Sequence, residues 1–143
     1  MTKSPMSGQT VSRLAGAGGR VIVDTHALVW ALRDPELLGS GAVEAIRSGI
    51  VSASVASLWE LLIKKSKPGA LLAEPLDWWA RYVVGSGIRV LGIRESHVVA
   101  LGGLGPYHKD PFDRILVAQA IVERATLVSK DATLAQYGIP VIW

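Results

Sequence analysis

From Arg20 onward, short apolar runs alternate with longer stretches whose apolar residues recur at helical spacing. Val21-Ile22-Val23 is a β-branched run of the kind buried on both faces of a parallel sheet. Asp24-Thr25 can cap a helix through Ala27 to Leu32, which Asp34-Pro35 stops. Ser40 opens a second short helix to about Ser48. Ile50 to Ala53 forms a strand, and Ser54 caps a helix from Val55 to about Lys65. Pro75 suits the first turn of a helix through Trp78-Trp79 to Val84. Ile88 to Ile93 reads as a strand and Glu95 to Leu101 as a short helix closed by Gly102-Gly103. His108-Lys109-Asp110-Pro111-Phe112-Asp113-Arg114 leads into an apolar helix to Glu123. Thr126 to Ser129 is a strand, Ala132 to Tyr137 a helical turn and Ile139 to Trp143 a final strand. This alternation predicts an α/β fold with a mostly parallel central sheet, in one domain over residues 20–143 and without an internal repeat. Sites in such sheets form beyond the carboxyl ends of the strands.

Composition agrees with a single packed domain: of 143 residues, half are hydrophobic and 19% are charged. No cysteine is present, which removes disulfides and thiolate metal sites and fits a reducing compartment. Residues 1–19 carry a Gly-rich run and no continuous apolar segment, so they read as a flexible tail rather than a signal peptide. No apolar run is long enough to span a bilayer, and a cytoplasmic protein without a membrane partner is expected. The net charge of +3 leans toward anionic partners such as nucleic acid but is too small to decide.

The acids are more informative. Asp24 follows a strand, and its ordinary role would be to cap the next helix. Glu60 shares a stripe with Ser57 and Lys64, the only polar residues of their helix. That stripe is either a solvated face with a Glu60–Lys64 pair or the wall of a polar cleft. Asp110 at a cap, Pro111 at the first helical position and Asp113 at the third make an ordinary helix start. The helix they open is apolar nearly all round, however, so its beginning should lie deep in the fold. Asp131 again follows a strand. In a parallel sheet these positions fall on one edge, where several carboxylates would repel unless a cation neutralised them. All-oxygen donors suit Mg²⁺ or Mn²⁺ rather than zinc. His26, His97 and His108 lack metal-ligand spacing and receive no metal role. There is no Gly-rich phosphate loop and no G-x-S-x-G elbow.

Four segments in order, Val21 to Trp30, Ser57 to Lys64, His108 to Ala120 and Leu127 to Asp131, resemble the successive motifs of VapC-type toxins with a PIN domain. The resemblance runs from Val21 to Trp143 and implies a three-layer α/β/α PIN-like domain. It also implies a Mg²⁺- or Mn²⁺-dependent endoribonuclease, a VapB-type protein antitoxin and a homodimer. Transferred by position, the catalytic and metal-holding acids are Asp24, Glu60, Asp113 and Asp131, with Asp110 accessory. Thr25 and Ser129 are candidates for hydrogen bonds that aim those acids, and Lys64, Arg114 and Lys130 for contacts to the RNA backbone. An antitoxin arginine could pair with two of the carboxylates. Its helix would then need apolar surface beside the cavity, for which Trp30, Leu61 and Trp78-Trp79 are candidates with core packing as the competing fate. Two other classes stay open. One is an aspartyl phosphotransferase of the haloacid-dehalogenase type, although His26 stands where its second Asp is required. The other is a binding module in which the acids are only caps and surface charges.

Overall fold

The computed structural model describes residues 19–143, so all but Gly19 of the expected tail lies outside the described residues. Five strands form one sheet: β1 Arg20–Val23, β2 Ile50–Ser54, β3 Arg89–Leu91, β4 Thr126–Val128 and β5 Val141–Ile142. Every neighbouring pair is parallel, in the order β3-β2-β1-β4-β5. The helices are α1 Thr25–Arg33, α2 Ser40–Ser48, α3 Val55–Lys64, α4 Pro75–Trp78, α5 Glu95–Gly102 and α6 Pro111–Glu123. Short 3₁₀ turns cover Pro35–Leu37 and Ala132–Tyr137.

The chain leaves β1 in one direction through β2 and β3, then returns to the other flank of β1 for β4 and β5. Parallel crossovers keep one hand, so this reversal moves the helices to the opposite face. Two apolar layers result. Val21, Val23, Val51 and Val128 pack with Leu28, Val29 and Ile46 of α1 and α2, whereas Ile22 and Leu127 pack with Ile115, Leu116 and Ala118 of α6. Alternate residues of one strand thus feed different cores, which is why β1 is apolar without interruption.

Local signals set the element boundaries. Ser54 accepts a hydrogen bond from the Ala56 N–H at 3.0 Å and starts α3, and Asp24 does the same for α1. Beyond α4 the helix widens over Trp79–Val83, where the Val84 N–H reaches back five residues to the Trp79 carbonyl. Trp78 and Trp79 are both buried there, so core packing is their role and they offer no partner surface. The expected strands Ile88–Ile93 and Ile139–Trp143 shorten to three and two residues, as edge strands paired on one side only. His97, fully buried, joins α5 to α6: Nδ1 accepts from the Arg94 N–H at 3.0 Å and Nε2 lies 2.9 Å from Glu123 Oε2. Among the described residues no helix is long and apolar enough to cross a membrane.

Trp143 closes one side of the fold, edge-on to Trp30 at 5.7 Å, and lies against the start of α2. A methyl group on Gly41 would come within 2.5 Å of the Trp143 carbonyl oxygen and 2.9 Å of Ile142 Cγ1. Alanine in a helix ordinarily adds up to about 1 kcal/mol over glycine. Here the clash reverses that sign. Gly41→Ala should lower stability by about 1–3 kcal/mol in a denaturant melt, and a stabilised variant would show that Trp143 is not held against α2.

Candidate active site

The ends of β1 and β4 meet at the point where strand order reverses, the place where doubly wound sheets open a crevice. The Asp24 N–H donates to the Val128 carbonyl at 3.0 Å, so the first residue after β1 is fixed against the last residue of β4. Ser129, Lys130 and Asp131 follow directly. The amino end of α6 rises to the same edge because that helix runs back toward the start of β4.

Three acids reach the crevice as helix caps. Asp24 Oδ1 accepts from the Ala27 N–H at 2.9 Å, and Asp110 Oδ1 accepts from Phe112 and Asp113 N–H at 2.8 and 3.1 Å. Asp131 Oδ1 accepts from the Thr133 N–H at 3.0 Å. In each case the cap occupies Oδ1 and leaves Oδ2 outside the cap. These residues both cap helices and border one cleft, and the caps orient the carboxylates.

Glu60 arrives differently. Ser57 and Glu60 are buried, so that part of the α3 stripe faces inward, while Lys64 at its end stays exposed. The Thr25 hydroxyl donates to Glu60 Oε1 at 2.5 Å and sits 3.0 Å from the Ser57 hydroxyl, while Lys64 Nζ donates to Oε2 at 2.6 Å. Asp24, Glu60, Asp110, Asp113 and Asp131 all border one cleft of about 370 Å³, together with Thr25, Ser129, Lys64 and Lys130.

The electrostatics follow from this crowding. Burial is the main force holding the Asp24 carboxyl above its usual range, with Glu60 adding to it; the Ala27 N–H and the Ser129 hydroxyl oppose the shift. Asp113 is pushed up to about 7, first by burial and then by Asp110 and Asp24. At the rim, the hydroxyl of Thr133 holds Asp131 below the ordinary carboxylate range. Lys64 is pushed up, chiefly by its hydrogen bond to Glu60.

Two histidines belong here that spacing did not reveal. His108 Nε2 lies 2.9 Å from Asp131 Oδ2 and 3.6 Å from Asp113 Oδ2, and these three side chains form a group compact enough to surround a metal ion. Spacing alone gives His108 no metal role and does not show that it stands among these acids. Its partners come from separate elements, which a local motif such as H-E-x-x-H does not describe. His26 borders the cleft and packs edge-on to Trp30 at 5.4 Å. Arg114 moves the other way. Its Nη1 donates to the Gly105 and His108 carbonyls and to the Tyr137 hydroxyl at 2.9, 3.2 and 3.0 Å, so it fastens the loop before α6 and does not line the cleft. Leu61 is buried, and the large apolar side chains exposed on α3 are Trp59, 55% accessible and edge-on to Phe112, and Ile63.

The PIN-domain family model matches residues 21–140. Ribonuclease VapC22 of Mycobacterium tuberculosis is 30% identical over 122 residues, which cover 84% of this chain and 93% of that protein. Among solved structures, VapBC2 from Rickettsia felis bound to a DNA fragment from its promoter superposes with a TM-score of 0.62 at 15% identity, covering 85% of this chain and 96% of that one. DNA-bound VapBC from Salmonella typhimurium gives a TM-score of 0.62 at 17% identity, over 87% of this chain and 97% of that one. The last two likenesses establish a shared fold.

Raised acids work against folding, because the unfolded chain releases their protons at lower pH than the folded one does. Without metal, stability should fall as pH rises from about 4, the ordinary range of Asp113, to about 7, and should level off above that. Asp113→Asn should raise stability at pH 7.5 by on the order of 1–2 kcal/mol once solvent screening is allowed for. Thermal melts across that range check both. A variant no more stable than wild type at pH 7.5 would mean that the repulsion is relieved in some other way.

Proposed function

The chain belongs to the PIN-domain family, and from that premise we propose that it is a Mg²⁺- or Mn²⁺-dependent endoribonuclease of the VapC toxin type. In this reading it acts in the cytoplasm and is silenced by a VapB-type antitoxin. The observation that carries the reading is the gathering of five carboxylates in one cleft at the switch point of the sheet, with Asp113 pushed up to about 7. Lys64 offsets only part of that charge, and a divalent cation would neutralise the rest.

Asp24, Glu60 and Asp113 would hold the ion, with Asp110 beside them. Their hard oxygen donors fit Mg²⁺ or Mn²⁺. His108 serves as a donor rather than a ligand. Its Nδ1 accepts from the Asp110 N–H at 3.1 Å, so the neutral ring carries its proton on Nε2 and gives it to Asp131 Oδ2. When bound, the ion supplies charge neutralisation at the phosphodiester and acidifies water for in-line attack. Thr25 aims Glu60, Ser129 aims Asp24, and His108 aims Asp131, which orients the attacking water. Lys64 and Lys130 bind the RNA backbone at the rim, and Arg114 is left to hold its loop. Dispersed caps on a mere binding module would not gather five carboxylates, two of them buried, in one cleft.

Total cellular RNA incubated with the protein and Mg²⁺ should be cut at discrete sites. Asp24→Asn should lose about a hundredfold or more in rate, and excess EDTA should abolish cutting. Full cleavage in EDTA would remove the metal-dependent reading.

The acid cleft also offers the antitoxin a physical route. An arginine of the antitoxin can pair with two carboxylates in fork geometry, with exposed Trp59 and Ile63 on α3 beside it to meet apolar side chains. Raising Mg²⁺ should then weaken the complex measured by calorimetry. An affinity independent of Mg²⁺, with inhibition intact, would point instead to steric cover of the RNA path.

A further inference from the structure

Beside the acid cleft lies a second cavity of about 330 Å³, walled by Leu61, Pro68, Ala70 and Leu71. Thr25, His26, Glu60 and Lys64 border both cavities, so the two adjoin. The chemistry changes across that shared edge. On one side stand most of the carboxylates, and on the other alkyl and pyrrolidine groups, with Glu60 and Lys64 on the border and Lys67 on the second cavity's wall.

The outer wall is the segment after α3, and it is fastened. Arg33 Nη1 donates to the Leu71 carbonyl at 2.6 Å, the Lys67 N–H to the Lys64 carbonyl at 3.1 Å and the Ala70 N–H to the Lys67 carbonyl at 3.2 Å. Gly69 turns the chain at φ +79, a conformation that glycine adopts without strain.

We propose that this cavity receives the base of a nucleotide flanking the scissile phosphate, so that RNA is cut beside one unstacked base. The proposal rests on the nuclease reading above and adds a specificity site to it. At about 330 Å³ the cavity is near the small end of ligand pockets and has room for one nucleobase. Sequence-specific RNA recognition uses bases splayed out of the stack and laid against apolar or aromatic side chains. Leu61, Pro68 and Leu71 offer apolar walls, and the exposed His26 imidazole stands at the border with the acid cleft. A nucleotide seated here keeps its phosphates near Lys64 and Lys67 and its neighbouring linkage at the acids. Selectivity for one position then follows from the distance between the cavities, which the shared residues fix.

The test uses the full chain, a randomised single-stranded RNA oligonucleotide and Mg²⁺, with the cut ends sequenced. Wild type should favour one base at one position beside the cut by about tenfold, the discrimination typical of a small apolar pocket. Ala70 is exposed at the cavity wall, so Ala70→Trp should fill the space with its indole while leaving the thermal melt unchanged. The preference should then collapse, and cleavage of the preferred sequence should slow about tenfold. Ala70→Leu, a smaller plug, should do the same in part, and it decides the matter if the tryptophan variant does not fold. Replacing the preferred base by an abasic site should slow wild type about tenfold and the tryptophan variant little.

A folded Ala70→Trp protein with an unchanged preference overturns the proposal. One that keeps the preference but escapes a VapB-type antitoxin also overturns it, since the cavity then belongs to the protein partner. Wild type that cuts RNA without base preference overturns the base site alone. Wild type that cuts no RNA overturns the nuclease reading, and the base site with it.

Discussion

The crowding of five carboxylates in one cleft is the constraint on which the other features of this structure depend. Burial and neighbouring acids raise Asp24 and Asp113, yet both are held at the meeting of β1 and β4. The fold tolerates the charge by placing helix starts beneath it. Asp24, Asp110 and Asp131 each accept backbone N–H groups, and the positive ends of the helix dipoles oppose part of the repulsion. The same bonds stiffen the cluster, because a carboxylate with one oxygen in a cap has few rotamers left. Stabilisation and orientation come from one set of contacts.

The sheet supports this arrangement at small size. Strands of two to five residues suffice because the central ones are buried on both faces, β1 and β4 each supplying both apolar layers. Reversal of strand order beside β1 opens a crevice without any insertion, and every acid lies within a few residues of a strand end or within two turns of a helix start. The scaffold and the site are thus products of one topology rather than a site added to a finished core.

Much of this was legible in the sequence where local chemistry decides. Asp24, Ser54 and Asp110 announce helix starts that the structure keeps, and the uninterrupted apolar run of Val21-Ile22-Val23 announces a central parallel strand. The stripe of Ser57, Glu60 and Lys64 allowed two orientations. Tertiary packing, which sets Thr25 against Glu60, buries Ser57 and Glu60 and leaves Lys64 exposed at the end of the stripe. The remainder depended on contacts between elements distant in sequence. His108 meets Asp131 across 23 residues, and Arg114 reaches Tyr137 across the same interval. No periodicity records such pairs. Trp78 and Trp79 show the opposite limit: a hydrophobic pair reads alike whether it fills a core or meets a partner, and here it fills the core.

Lys64 connects these threads. It is the cation already present in the cluster, bonded to Glu60 and pushed up by that bond, with Asp110 and Asp113 adding to the pull. It therefore offsets part of the charge that a divalent ion would neutralise. A metal bound to Glu60 competes with the ammonium for the same carboxylate, since Oε1 is already taken by Thr25 and Oε2 by Lys64. Relieved of that pairing, Lys64 is a free positive charge on the border of both cavities, 6.0 Å from the centre of the Phe112 ring. In the nuclease reading, loading of the ion and readiness for an anionic backbone are coupled through this one side chain. Its flexible alkyl stem makes such a change of partner inexpensive in geometry.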